Sequence, residues 1–339
     1  MYSAALAVRH VKSVMARKII LLLLAAFALV AVGIAEAQQP PKRAKIGWLS
    51  TRPVSRSGGG SDVIRRELHE LGYTEGKTIL FENRSTGGKL DRLPALAAEL
   101  VGLKPDMLLA YSTPAARALK NATKTIPIVF VSAGDPVASG LVDNLARPGG
   151  NITGFSTISS VIAGKRLELL KETVPKLSKV AVLWSRQGSV LQWKEAQLPA
   201  QKLGLQLHSM EVTNVDEYKT AFEEAINAGT DALVVGGSSL DNTNQRLIVE
   251  LAGQYRLPAI CPRADYITAG GLMSYGADGV EPYKRAAFII DKILKGANPA
   301  DIPVEQPTKF ELVINLKTAK QIGLIIPAHV LARADRIIR

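Results

Sequence analysis

The chain has 339 residues, with 42 Lys plus Arg against 30 Asp plus Glu, a formal charge of +12, 47% apolar and 5% aromatic residues, and one cysteine. That length carries two ordinary domains with full cores, and the composition excludes a long disordered tail and a multi-pass membrane protein. A single cysteine excludes an internal disulfide framework and a thiolate zinc cluster.

Residues 1–37 read as an export signal. Arg17 and Lys18 precede an apolar run from Ile19 to Ile34, and Ala35-Glu36-Ala37 follows it. The run is shorter than the roughly 20 residues of a spanning helix, and its small-residue site predicts cleavage before Gln38 and a periplasmic destination. No cysteine follows that site, so no lipoprotein anchor is expected. Without the leader, 38 basic and 29 acidic residues remain, a formal +9. The basic residues are spread along amphipathic helices with no nucleic-acid motif among them, which predicts a solvated basic surface and no nucleic-acid partner.

Short apolar runs then alternate with helical patterns of ten to sixteen residues, the signature of βα units and a parallel sheet. Lys45 to Ser50 is the first predicted strand, Asp62 to Leu71 a helix stopped by Gly72, and Thr78 to Glu82 a second strand. Asp91 is placed to cap a helix running to Leu103, and Met107 to Tyr111 reads as a buried strand. The order then repeats. Lys45-Ile-Gly-Trp-Leu-Ser50 matches Lys179-Val-Ala-Val-Leu-Trp184, and the strand after Asp106 matches the strand after Asp231, 125 positions later. Ile126-Pro127 and Leu257-Pro258 each open a strand followed by an acid, Asp135 and Asp265, 130 positions apart. Matches recurring in one order predict duplicated topology: two similar Rossmann-like α/β lobes with parallel sheets, joined by hinge crossovers. The predicted division is lobe 1 over 42–156 with about 277–300, lobe 2 over 157–276, and a C-terminal crossover segment, 301–339, packing on both. The glycine-rich stretches Pro148 to Gly154 and Gly270 to Gly276 are the expected connections.

Open α/β sheets bind ligands beyond the carboxyl ends of their strands, so two facing sheets make a cleft. No nucleophile elbow, phosphate loop or paired-histidine metal motif occurs, and no catalytic residue, metal or cofactor is expected. Gly58 to Ser61 fails the dinucleotide spacing at Val63. Ser112-Thr113-Pro114 follows a strand and opens a helix, where free N–H groups and small hydroxyls suit a carboxylate, or serve only as a cap. Gly237 and Ser238 present the same arrangement from the other wall, with Asp241 placed to cap. Asp135 and Asp265 either hold a ligand ammonium group or cap turns. Ser50, Tyr111, Trp184 and Tyr275 complete the ligand-binding candidates, the three aromatic rings either facing a planar moiety or packing in the core.

The segments Glu70 to Lys77, Ser112-Thr-Pro-Ala115, Gly134-Asp-Pro136, Arg147 to Gly154, Gly164 to Lys171, Gly270 to Gly276 and Pro307 to Ala319 together resemble the ABC transporter substrate-binding protein family, which includes tryptophan-binding members. The resemblance runs from about Lys45 to the C-terminus. It implies a type I periplasmic binding fold whose lobes close on an amino acid or similar solute and deliver it to a membrane permease, with Ser112, Thr113 and Asp135 lining the cleft. A monomer is expected. Arg52 to Gly60 is shorter and richer in glycine than the family pattern, so solute identity does not carry over. Two other readings stay open: a ligand sensor signalling to a membrane receptor, and an exported enzyme using Asp135 and Asp265 as an acid–base pair. A sugar-responsive repressor on the same fold would need a helix-turn-helix before Lys45, and none is present.

Overall fold

The computed structural model describes residues 43–51, 60–158, 162–186 and 188–339; the expected export signal and residues 52–59 of the glycine-rich stretch lie outside them. The first half supplies β1 (Ala44–Ser50), α1 (Gly60–Glu70), β2 (Ile79–Ser85), α2 (Leu93–Gly102), β3 (Met107–Tyr111), α3 (Thr113–Ala122), β4 (Ile128–Ala133) and β5 (Ile152–Ser156). Its five strands form an all-parallel sheet in the order β2-β1-β3-β4-β5. Strands such as Met107–Tyr111 are buried at every position, as expected of a sheet with both faces covered. One face packs Ile46, Trp48 and Met107 against Ile64 and Leu68 of α1; the other packs Leu49, Leu108 and Phe130 against Leu96 and Leu100 of α2 and Leu119 of α3.

The second half supplies α4 (Ala163–Thr173), β6 (Lys179–Trp184), α5 (Val190–Lys202), β7 (Gln206–Glu211), α6 (Glu217–Asn227), β8 (Ala232–Val235), α7 (Ser239–Thr243), α8 (Gln245–Gln254), β9 (Ala259–Cys261), α9 (Asp265–Thr268), β10 (Met273–Ala277), α10 (Glu281–Leu294), β11 (Phe310–Asn315), α11 (Leu316–Ile322), α12 (Ala328–Leu331) and β12 (Arg336–Ile338). Seven strands form the second sheet, β12-β11-β10-β9-β8-β6-β7, parallel except at the β10–β11 pair. The architecture is therefore α/β with two mostly parallel sheets, as the alternation predicts.

The repeated sequence pairs have a shared physical role. Asp106 Oδ2 accepts the Lys45 backbone N–H at 2.8 Å, and the Asp106 N–H returns to the Lys45 carbonyl at 2.9 Å. In the second lobe Asp231 Oδ2 accepts the Lys179 N–H at 2.8 Å and the Asp231 N–H returns to the Lys179 carbonyl at 2.8 Å. Asp231 also accepts the amide and the hydroxyl of Ser178, both at 2.9 Å. Each aspartate pins the start of its lobe's first strand to the strand beside it, filling donors that a strand edge leaves open.

Two expectations change. The chain does not leave the first lobe through Pro148 to Gly154, because Ile152–Ser156 is itself the edge strand β5, paired with β4; the crossing follows it. The stretch from 301 onward is more than a crossover, since β11 and β12 extend the second sheet. On the way, Glu305 bridges to β5: the Ser156 N–H reaches the Glu305 carbonyl at 2.8 Å and the Glu305 N–H reaches the Gly154 carbonyl at 3.0 Å. Arg285 of α10 grips the Glu305 carboxylate with two bonds of 2.5 and 2.7 Å, anchoring that return segment. Helix α10 leaves the second sheet and packs Ala286, Ile289, Ile290 and Ile293 into the first lobe beside α1.

Within α7 stands an aspartate of opposite character. Asp241 is fully buried, accepts the Ser238 N–H at 2.8 Å and the Tyr218 hydroxyl at 2.8 Å, and its own N–H donates to Ser238 Oγ at 3.1 Å, a complete capping box. Burial pushes its carboxyl up to about 6 despite those donors.

The two aspartates predict opposite pH responses. Burial alone would raise the Asp231 carboxyl, but the Lys179 and Ser178 donors and the Lys179 charge outweigh it and hold the group below the usual carboxylate range. Its contribution is present above pH roughly 4 and lost as pH falls through the lowered folded value. Asp231→Ala is expected to cost about 1–2 kcal/mol at pH 7 by chemical denaturation, the difference closing toward pH 3. For Asp241 the folded value is raised, so its contribution is complete below pH roughly 4 and is lost as pH rises through about 6. Asp241→Asn is expected to remove that loss, on the order of 3 kcal/mol, flattening the melting temperature between pH 4 and 6 in a thermal-shift series.

Candidate functional site

The carboxyl ends of both sheets face one gap. Thr51 follows β1, Ser112 follows β3 and Gly134 follows β4 on one side; Gly237 follows β8 and Pro262 follows β9 on the other; Asp278 follows β10 where the chain crosses back. All six line a cleft of about 890 Å³, its solvent-open part included. That is the position expected of a small-molecule site on paired α/β sheets.

The first-lobe wall is built around the turn from β3 into α3. Ser112 has φ 98° and ψ 156°, a conformation that costs a non-glycine residue strain, and it makes no side-chain cap to the helix it precedes. Ser132 on neighbouring β4 also has positive φ, 63°, and also lines the cleft. Because Ser50 pairs with Tyr111 in register, Thr51 and Ser112 extend adjacent strands. Their hydroxyls are buried without a hydrogen-bond partner, in residues only 1% and 7% exposed. Thr113 Oγ1 instead accepts the Gly134 N–H at 3.3 Å, holding two segments of the wall together.

The second-lobe wall rests on the Asp241 capping box. Asn242 lines the cleft, donates Nδ2–H to the Gly237 carbonyl at 3.0 Å and accepts the Tyr266 hydroxyl at 3.1 Å. Gly237 has φ 77°, and a Cβ there would stand 2.6 Å from the Pro262 ring, so glycine is required. Two guanidinium groups reach the cleft. Arg166 of α4 is 1% exposed, donates Nε–H to the Tyr275 carbonyl at 2.9 Å, and burial lowers its pKa to about 10. Arg263 is forked onto Asp265 by bonds of 3.1 and 2.8 Å and sends Nη1 to the Tyr111 hydroxyl of the other lobe at 2.8 Å. Burial opposes the Arg263 charge, yet Tyr111 and Asp265 hold its pKa above the ordinary value.

Of the residues singled out from sequence, Tyr111, Ser112, Thr113 and Gly237 line the cleft together. Ser50 ends β1 and is buried behind Thr51. Ser238 directs its hydroxyl into the capping box, leaving Ser239 to face the cleft. Asp135 caps a turn by accepting the Val137 and Ala138 amides at 3.1 and 2.9 Å, and its neighbour Gly134 lines the wall. Asp265 meets the cleft only through Arg263. Trp184 stacks on Trp193 with centroids 6.1 Å apart and donates to Ser209 Oγ at 2.7 Å, and Tyr275 stacks on Phe310, so both rings pack within the second lobe rather than along the cleft.

Thr51, Arg166, Gln192, Arg263, Asp278 and Tyr283 line the cleft without having been singled out. The strand-end rule that found Ser112 reaches Thr51, Arg263 and Asp278, each one or two residues past a strand. Arg166 carries its own signal, a charge on the apolar stripe that Ala163, Leu167 and Leu170 define on α4. Gln192 and Tyr283 sit on helices whose ends return to the cleft and had no local mark. Among the described residues, no group of three or more His, Cys, Asp or Glu could hold a metal ion, and no helix is long and apolar enough to cross a membrane.

Known proteins share this arrangement. A tyrosine-binding protein of Clostridioides difficile (strain R20291) is 29% identical over 261 residues, 76% of this chain and 75% of that protein. The structure of an ABC domain in complex with L-Trp from Streptococcus pneumonia superposes with a TM-score of 0.79 at 28% identity, covering 88% of this chain and 100% of that one. The ligand-free, open structure of a substrate binding protein with adhesive properties from Clostridium difficile gives 0.64 at 25% identity, over 87% and 99%. The family model described as ABC transporter substrate binding protein matches residues 60–338, and with two facing α/β sheets around one cleft, this chain belongs to that family.

Proposed function

We propose that this chain is the exported, monomeric solute-binding component of an ABC importer, taking an α-amino acid into the cleft and releasing it unchanged to a membrane permease. The leader 1–37, cleaved before Gln38, would deliver it to the periplasm. The observation that carries the reading is the pair of buried, unpartnered hydroxyls of Thr51 and Ser112 beside the amino end of α3. Native proteins rarely bury a hydroxyl without a partner, and the first N–H groups of a helix attract negative charge. A ligand carboxylate satisfies both. Asp278, at the crossover into α10, supplies an opposite charge for an ammonium group. Tyr283 and Pro114 offer apolar surface for the side chain, consistent with relatives named for tyrosine binding and found with L-Trp.

Closure of the two walls is the mechanism. The likeness to the L-Trp complex exceeds that to the open, ligand-free relative, which supports reading the described cleft as the closed form. A ligand that touches both walls only when they meet shifts the equilibrium by its differential affinity, with no covalent step.

Isothermal titration with L-tyrosine and L-tryptophan tests this reading, with mass spectrometry of the recovered ligand. Thr51→Val and Ser112→Gly are each expected to weaken binding about tenfold or more. The melting temperature of ligand-free Thr51→Val should stay level or rise, since an unsatisfied hydroxyl becomes a methyl. Amidation of the ligand carboxylate should weaken wild-type binding while leaving those variants little further affected. Unchanged affinity in both variants removes the carboxylate assignment, and a chemically altered ligand removes the binding-only reading.

A further inference from the structure

We infer that Arg263 and Tyr111 form a closure latch, a hydrogen bond between the lobes that stabilises the closed state before any ligand contributes. The inference rests on the hinge-closure reading above and is independent of which solute binds. Arg263 follows β9 in the second sheet and Tyr111 ends β3 in the first, 152 positions apart, yet Nη1 stands 2.8 Å from the hydroxyl. Both partners are fixed within their own lobes. Asp265 grips Nε and Nη2 of Arg263, leaving the Nη1 edge of the planar group directed across the gap. Tyr111 is 8% exposed and stacks on Tyr283 with centroids 6.1 Å apart and planes 5° from parallel, which holds its ring in place within the first lobe. Asp265 balances the guanidinium charge, which lets the bond form without a ligand carboxylate.

A bond present only when the lobes meet sets how much closed protein exists without ligand, and so sets the fraction of the intrinsic affinity that is observed. Asp265 is then a positioning residue. It holds Arg263 in register for Tyr111 and does not itself contact the solute. Arginine is needed because lysine cannot occupy the fork and bridge the gap at once.

Spin labels on Lys89→Cys in the first lobe and Lys219→Cys in the second, both exposed, report the interlobe distance, and buried Cys261 stays unlabelled. Pulsed dipolar spectroscopy on ligand-free protein should show the ratio of closed to open molecules falling about tenfold in Tyr111→Phe, which keeps the stacked ring. Arg263→Lys should shift it by a similar factor, and the double variant should shift it no further. Distances in Tyr111→Phe identical to wild type, or additive effects in the double variant, overturn the latch. Because the measurement uses no ligand, a normal shift alongside absent binding of L-tyrosine and L-tryptophan would remove the solute assignment and leave the latch standing.

Discussion

A parallel sheet covered on both faces leaves a chain one place for recognition: the carboxyl ends of its strands. Both sheets here are buried through their middles, with apolar clusters on each side. Every cleft-lining group described above therefore comes from a strand end, from a loop that follows one, or from a helix end that returns to it. The Asp106 and Asp231 pins secure the opposite ends of the strands, where each lobe's first strand joins its neighbour. The same carboxylate-to-amide geometry recurs in each lobe at residues that the internal sequence match pairs. A pin that satisfies fixed backbone donors tolerates little substitution.

The two walls differ in chemistry although their topology repeats. The first offers hydroxyls and the amino end of a ten-residue helix, α3. The second closes its short α7 on itself through the Asp241 capping box and presents side-chain polarity instead, from Asn242, Arg166 and Arg263. The recurring strand order thus supplies a common frame, and the two walls present different chemistry on it. Asp265 shows the division well: its partner by position in the first lobe, Asp135, caps a turn, whereas Asp265 orients a guanidinium toward the other lobe.

Hydrophobic period made most of the fold legible. Met107 to Tyr111 is a strand at the bounds its apolar run predicts, and β1 and α1 lie within two residues of theirs. Asp91 misled because the chain first makes a short 3₁₀ turn at Leu90–Arg92, so α2 begins only at Leu93. The site was half legible for a different reason. Strand-end position is local and readable, which found Ser112, Thr113 and Gly237. Whether a ring such as Trp184 faces the cleft or the neighbouring helix depends on χ angles and on packing against Trp193, neither of which spacing encodes. The same limit applied to Asp135 and Asp265, where a carboxylate at a strand end has several amide or guanidinium partners within reach.

The path of the chain also bears on how the protein comes to be. The first lobe's core lacks α10 until residues 281–294 exist, and the second sheet lacks β11 and β12 until residues 310–338 exist. Neither half can finish its packing before those residues are made, so both cores are completed late in the chain. Under the exported reading proposed above, such late assembly keeps the polypeptide passable through a translocation channel, and folding waits for the far side.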